Sequence, residues 1–210
     1  MLLEIYEILY KEYGPQHWWP GETQDEIVIG AILTQNTAWK NVEKAIANLD
    51  KNGLLSLSAI AKEGIERIAR LIQPCGYYNI KAKRLKNVAD FLTSYKDKEN
   101  CEQFRNALLR VNGVGRETAD SILLYAFDLS VFVVDAYTRR IFSRLGIIKG
   151  NEPYDEISKM FISSLPNSVR VYNEYHALIV RHGKERCKKQ PLCSKCVLRD
   201  RCQNALQYQY

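Results

Sequence analysis

Apolar positions recur with helical spacing along almost the whole chain. Ile27, Ile29, Ile32 and Leu33 continue one apolar face after Thr23, and Glu26 stands three residues beyond that threonine. This is the pattern of a helix N-cap with a reciprocal glutamate. Further helices are predicted over 38–50, 62–72, 80–95, 100–110, 116–127, 136–145, 153–164 and 170–184. The 11 glycines and 6 prolines fall mostly between these stretches. No strand ladder, fixed-period repeat or low-complexity tract interrupts them. The β-branched run Leu129-Ser-Val-Phe-Val-Val134 reads as a buried connection into a helix starting at Asp135. Many short helices with short loops imply an all-α fold.

No apolar run reaches the roughly 18 residues of a membrane span. Acids at Glu4 and Glu7 argue against a secretory leader. The expectation is a cytoplasmic, monomeric protein with no membrane partner. Its 210 residues suffice for one large domain or two small lobes.

The 30 basic residues exceed the 24 acidic ones by a net +6, a balance that permits a nucleic-acid partner without demanding one. Their placement says more. Arg181, Lys184, Arg186, Lys188, Lys189, Lys195, Arg199 and Arg201 crowd into 180–202 against only Glu185 and Asp200. A second cluster, Lys81, Lys83, Arg84 and Lys86, contains no acid. Either cluster is equally a solvated helix face.

Four of the 6 cysteines, Cys187, Cys193, Cys196 and Cys202, follow the spacing Cys-x5-Cys-x2-Cys-x5-Cys. A reducing compartment disfavours disulfides, so this spacing points to metal ligation. Zinc sites usually show two tight pairs, and iron–sulfur clusters also take four cysteines. The spacing leaves both open. Cys75 and Cys101 are scattered and read as structural.

The stretch Leu108-Leu-Arg-Val-Asn-Gly113-Val-Gly115-Arg116-Glu-Thr-Ala119 sets a tight glycine turn between two helical patterns. Two glycines allow positive φ and close approach of a ligand to the backbone. The free N–H groups at the start of the second helix form an anion site. On DNA such a site grips a phosphate without reading sequence. An ordinary packing corner is the bland alternative. Twenty residues after Gly115, Asp135 stands where the apolar run gives way to a helix. It is a good N-cap. A carboxylate held there stays ionised and is able to stabilise a cationic sugar or orient a water.

Together these residues resemble the endonuclease III superfamily of DNA glycosylases, the helix–hairpin–helix group. The hairpin Val111–Ala119, the Val134-Asp135 pair, the cysteine cluster and Leu33-Thr-Gln35-Asn-Thr37 occur in that family's order over about residues 20–202. The resemblance implies a two-lobed helical fold. One lobe is a six-helix barrel over 22–130, with its helix–hairpin–helix at about 103–127. The other combines 1–21 with 131–210 and carries a [4Fe–4S] cluster on the four cysteines of 187–202. A lesion-binding cleft lies between them in that family. Asp135 matches the catalytic aspartate, and Gln35 the residue that fills the gap left by a flipped base. The expected partner is double-stranded DNA with a damaged base. Its expected contacts are Gln35, Gly113, Gly115 and Arg116, with Lys81, Lys83 and Lys184 from the basic clusters, in a protein associated with the nucleoid.

Two departures stand out. Members with lyase activity carry a lysine directly after Gly-Val-Gly-Arg, where this chain has Glu117. That favours a monofunctional glycosylase. The first cysteine gap is five residues where the common pattern has six.

Trp18-Trp19-Pro20, Trp39 and Cys75-Gly-Tyr-Tyr-Asn-Ile-Lys-Ala-Lys83 look like the 3-methyladenine branch of the superfamily, in which Trp-Trp-Pro and an aromatic at the Trp39 position line the base pocket. A purine alkylated at a ring nitrogen, such as 3-methyladenine, is cationic, and stacked aromatics attract a flat cation. Core packing is the alternative role for the three tryptophans. Other readings are glycosylases for oxidised pyrimidines or mismatched bases and, from another class, a non-catalytic DNA-binding iron–sulfur or zinc protein.

Overall fold

The structure is a computed structural model and describes residues 1–18 and 21–207. Its helices are α1 Leu2–Tyr13, α2 Gln24–Leu33, α3 Trp39–Lys51, α4 Leu57–Lys62, α5 Ile65–Leu71, α6 Tyr78–Ser94, α7 Cys101–Leu109, α8 Arg116–Ala126, α9 Ala136–Leu145, α10 Tyr154–Ser164, α11 Val169–Glu185 and α12 Gln203–Gln207. Among the described residues there is no β-strand, and no helix is long and apolar enough to cross a membrane. Contacts divide the chain into Pro20–Leu129, here the hairpin unit, and Met1–Trp19 with Ser130–Tyr210, the cysteine unit.

The hairpin unit is built around two helices without a solvent face. In α2 every residue from Val28 to Leu33 is buried, and in α8 every residue from Thr118 to Ala126. A helix apolar nearly all round belongs in a core, and these two pack on each other. Thr23 caps α2 by accepting from Glu26 N, while the Glu26 carboxylate accepts from Glu22 N, one residue before the cap. Polar side chains within the buried stretch of α8 have partners. Asp120, 1% exposed, receives Arg105 Nε at 2.6 Å and Nη2 at 3.1 Å, which ties α8 to α7. Ser121 Oγ donates to Glu117 O.

The helix expected over 62–72 is α5, and α4 precedes it at residues where the periodicity predicts no helix. Ser56 caps α4 by accepting from Ala59 N, and Gly64 is the N-cap of α5. Ser56 and Gly64 therefore start two short helices in succession. Where six helices were expected, this unit has seven α-helices among its described residues.

In the cysteine unit, α11 packs against α1 and α9. Phe132, Phe142, Phe161, Tyr172 and Tyr175 are all fully buried there. Phe132 and Phe161 stack at 4.1 Å, and Phe142 meets Phe161 edge-on at 4.8 Å. Residues 131–134 are buried and non-helical, as the apolar run implied. Side chains of α10 help satisfy this backbone. Ser158 Oγ donates to Phe132 O, and Tyr154 Oη accepts from Val134 N. Buried backbone outside regular structure needs such partners.

Candidate functional site

In the hairpin unit the turn between α7 and α8 is closed by Val114 N donating to Val111 O. Gly113 has φ +95°, and a Cβ there would lie 2.2 Å from Arg84 Cγ. Glycine is required on both counts. Gly115 differs from expectation: its φ is −92°, which any residue adopts. A Cβ there meets nothing within 4 Å. What its small size leaves open is the approach to the start of α8, where no side chain caps the first turn. Arg116 and Glu117 are exposed in that turn.

Gln35 reaches this turn from the segment after α2. Its Nε2 donates to Gly113 O at 3.1 Å and to Thr118 Oγ1 at 3.0 Å, and its Oε1 accepts from Arg84 Nη1 at 2.6 Å. Gln35, Asn36, Arg84, Gly113, Gly115 and Glu117 line one open, polar pocket. Arg84, which the sequence offers only as one more basic residue, both packs on Gly113 and orients Gln35.

Lys81 is not a phosphate contact. It is 2% exposed, and its Nζ donates to Leu33 O, Thr37 Oγ1 and Cys75 O at 2.6–2.9 Å. Burial lowers its pKa, an effect partly offset by Cys75. The acid-free cluster conceals this, because one face of α6 turns inward. Lys81 joins two turns that hold non-glycine residues at positive φ, Asn36 at 52° and Tyr77 at 47°. Tyr77 is 72% exposed, which the sequence does not disclose. Lys83, two positions on from Lys81, is exposed.

In the cysteine unit Asp135 is the N-cap of α9. Its Oδ1 accepts from Thr138 N at 2.7 Å and Thr138 Oγ1 at 2.9 Å. Its Oδ2 lies 3.6 Å from Nε2 of His176 on α11. Burial works to raise the carboxyl pKa, but His176 and then Thr138 outweigh it and hold Asp135 below the usual range. His176 is 5% exposed and carries no sequence signal beyond a polar residue on an apolar face.

Cys187, Cys193, Cys196 and Cys202 line one cavity with Arg144, His182 and Arg186. Among the described residues no three His, Cys, Asp or Glu side chains are grouped as a single metal ion requires. Arg144 Nη1 is 3.3 Å from Cys187 Sγ, and Arg186 Nε is buried without a hydrogen-bond partner. Tyr13 Oη is 2.9 Å from His182 Nδ1, and His182 Nε2 is 3.6 Å from Cys196 Sγ. Burial pushes the Cys196 thiol up to about 11. It lowers the His182 pKa to about 4, with Arg186 adding to the effect. Lys184, Lys188 and Lys189 are exposed near this cavity's lining.

Of the expected base-pocket residues, Trp18 is half-buried with Lys184 Nζ 5.9 Å from its ring centroid, a cation–π contact. Trp39 is half-buried at the start of α3. Trp19 and Pro20 lie outside the described residues.

An all-helical fold with a glycine hairpin opening a helix, and a capping aspartate twenty residues on, defines a helix–hairpin–helix protein of the DNA glycosylase class. Residues 29–166 match the HhH-GPD superfamily of base excision DNA repair proteins, and the chain belongs to it. It is 51% identical over 210 residues to a protein of Methanocaldococcus jannaschii assigned by name to the DNA repair glycosylases, with 96% of each chain covered. The structure of H. pylori 3-methyladenine DNA glycosylase bound to 1,N6-ethenoadenine is 32% identical, with a TM-score of 0.75 over 88% of this chain and 97% of that one. A trapped endonuclease III–DNA covalent intermediate has a TM-score of 0.85 over 100% of this chain and 99% of that one, at 21% identity; this likeness is one of fold. The protein is a DNA glycosylase of base excision repair, and its partner is DNA.

Proposed function

We propose that this protein is a monofunctional glycosylase that releases alkylated purines, 3-methyladenine foremost, from duplex DNA. Glu117 carries the monofunctional part. It stands in the first turn of α8 where lyase-coupled relatives hold a lysine, and the hairpin pocket is lined by no lysine. Lys81 offers no substitute, since its ammonium is buried among three acceptors. The substrate rests on Trp18-Trp19-Pro20 and Trp39, and on the 32% identity to the H. pylori enzyme.

In the reaction, water oxygen bonds to C1′ of the sugar as the C1′–N bond breaks. The electron pair of that bond leaves with the base. A base methylated at a ring nitrogen carries positive charge and departs neutral, so it needs little acid catalysis. The proton of the water passes to solvent. Asp135, held ionised, stabilises the positive charge that builds on the sugar. The amides at the start of α8 and Arg116 bind a phosphate and set the register of the strand. Gln35 fills the space left by the flipped base. Flipping costs a few kcal/mol and is cheapest for a damaged base, and stacking on an aromatic returns roughly 1–3 kcal/mol.

The same reading gives Cys187, Cys193, Cys196 and Cys202 to a [4Fe–4S] cluster. The residues fit it. Four thiols line one cavity. The negative charge of four thiolates is met by Arg144 and by the otherwise unpartnered Arg186 Nε. When bound, the cluster supplies cross-linking of the loop rather than reaction chemistry. The end of α11 and the cysteine loop then present Lys184, Lys188 and Lys189 to DNA phosphates.

Two measurements test the reading. Borohydride is expected to trap no covalent enzyme–DNA adduct. A panel of lesion duplexes is expected to show 3-methyladenine released and the abasic strand left intact. Efficient trapping removes the monofunctional assignment. Rapid excision of thymine glycol, or of thymine opposite guanine, without release of methylated adenine removes the substrate.

A further inference from the structure

A carboxylate that only caps a helix needs one oxygen. Asp135 spends Oδ1 on that task, accepting from both Thr138 donors. Its second oxygen faces an imidazole delivered by another helix, with His176 Nε2 at 3.6 Å from Oδ2. The two contacts oppose rotation of the carboxylate about its Cβ–Cγ bond. Catalytic hydrogen bonds are often long before substrate binds and tighten in the complex.

The arginines that follow Asp135 on α9 have partners of their own. On α9, Arg139 Nη1 donates to Gly150 O and Glu152 O, and Arg140 donates to Cys187 O and Gly183 O. Tyr154 of α10 accepts from Val134 N. His176 of α11 is the group whose ring nitrogen approaches the carboxylate.

We propose that His176 is a positioning residue for glycosidic bond hydrolysis, its Nε2–H holding Asp135 Oδ2 in the orientation that stabilises the cationic sugar. This rests on the reading of Asp135 as the catalytic carboxylate. His176 acts through Asp135 and does not touch substrate. It carries its Nε2 proton through the cycle without transferring it.

The test uses the full-length, cluster-containing protein and single-turnover base release. His176→Phe keeps a ring of similar shape and removes both nitrogens. It is expected to slow release about ten- to a hundredfold, the kinetic equivalent of one hydrogen bond to a charged group. Affinity for abasic-site DNA stays unchanged, and the acid limb of the pH–rate profile moves toward neutral pH, because Asp135 loses a donor that favours its charged form. His176→Gln, which retains an N–H donor, recovers part of the rate. A wild-type rate and profile in His176→Phe overturns the proposal, as does a loss confined to DNA affinity.

Should the phenylalanine variant not fold, nitrogen-resolved NMR of the wild-type ring decides. A proton on Nε2 whose resonance shifts in Asp135→Asn supports the proposal, and an Nε2 without a proton overturns it. Full activity of Asp135→Asn defeats the underlying reading. An inactive Asp135→Asn beside a normal His176→Phe defeats this inference alone.

Discussion

Single residues carry conflicting demands here, and the geometry shows which demand wins. Asp135 is both helix cap and candidate catalyst. Asparagine caps as well as aspartate, so Asp135→Asn separates the two roles. Its thermal midpoint is expected to stay near wild type, while base release falls to near zero and DNA affinity is kept. Only interactions made in the transition state are then removed. A large drop in stability, seen by circular dichroism, counts against this division. Lys81 and Lys83 stand two positions apart and differ completely. Lys81→Met removes the ammonium that donates to Leu33 O, Thr37 Oγ1 and Cys75 O and is expected to cost about 1–3 kcal/mol in urea unfolding. Lys83→Met, at an exposed site, is expected to stay within about 0.5 kcal/mol. In DNA binding the order reverses: loss of Lys83 lowers the salt slope by about one contact, while loss of Lys81 leaves the slope alone.

Elements are joined by few but specific ties. The Arg105–Asp120 pair clamps α7 to α8 across the hairpin, with the carboxylate 1% exposed. Breaking a buried pair by removing one partner costs about 3–5 kcal/mol. Asp120→Ala is therefore expected to lower the urea midpoint strongly and to loosen the hairpin turn with it. An unchanged midpoint rejects that role for the pair. In the cysteine loop, Cys202→Ser is expected to reduce iron and sulfide content and to weaken DNA binding. The weakening should be larger at low salt, where Lys184, Lys188 and Lys189 contribute most. One zinc per chain and no iron in the wild-type protein rejects the cluster.

At the scale of the whole molecule, the chain builds two units by returning its C-terminal segment to its N-terminal helix. Tyr175 Oη donates to Leu2 O, and Arg201 pairs with Glu4 at 2.5 Å. The hairpin unit between them is continuous in sequence. Hydrogen bonds of such span tie the cysteine unit's termini together. Deleting α1 should therefore expose the apolar surfaces of α10 and α11, which pack against it. The expected result is loss of cooperative unfolding in the cysteine unit.

Periodicity, capping residues and glycine placement act within a few residues, so the sequence by itself determined the all-helical fold, the hairpin, the Asp135 cap and the buried run before it. Spacing likewise put the four cysteines on one short segment, and they line one cavity. Other features depended on which face of a helix turns inward. That choice buried Lys81 while leaving its neighbour Lys83 in solvent. It also paired Arg84 with Gln35 across 49 positions and His176 with Asp135 across 41. No local pattern encodes partners so far apart, because packing of whole helices sets their distance. The tertiary structure alone decided which polar groups meet, and therefore how the glutamine and the carboxylate are held.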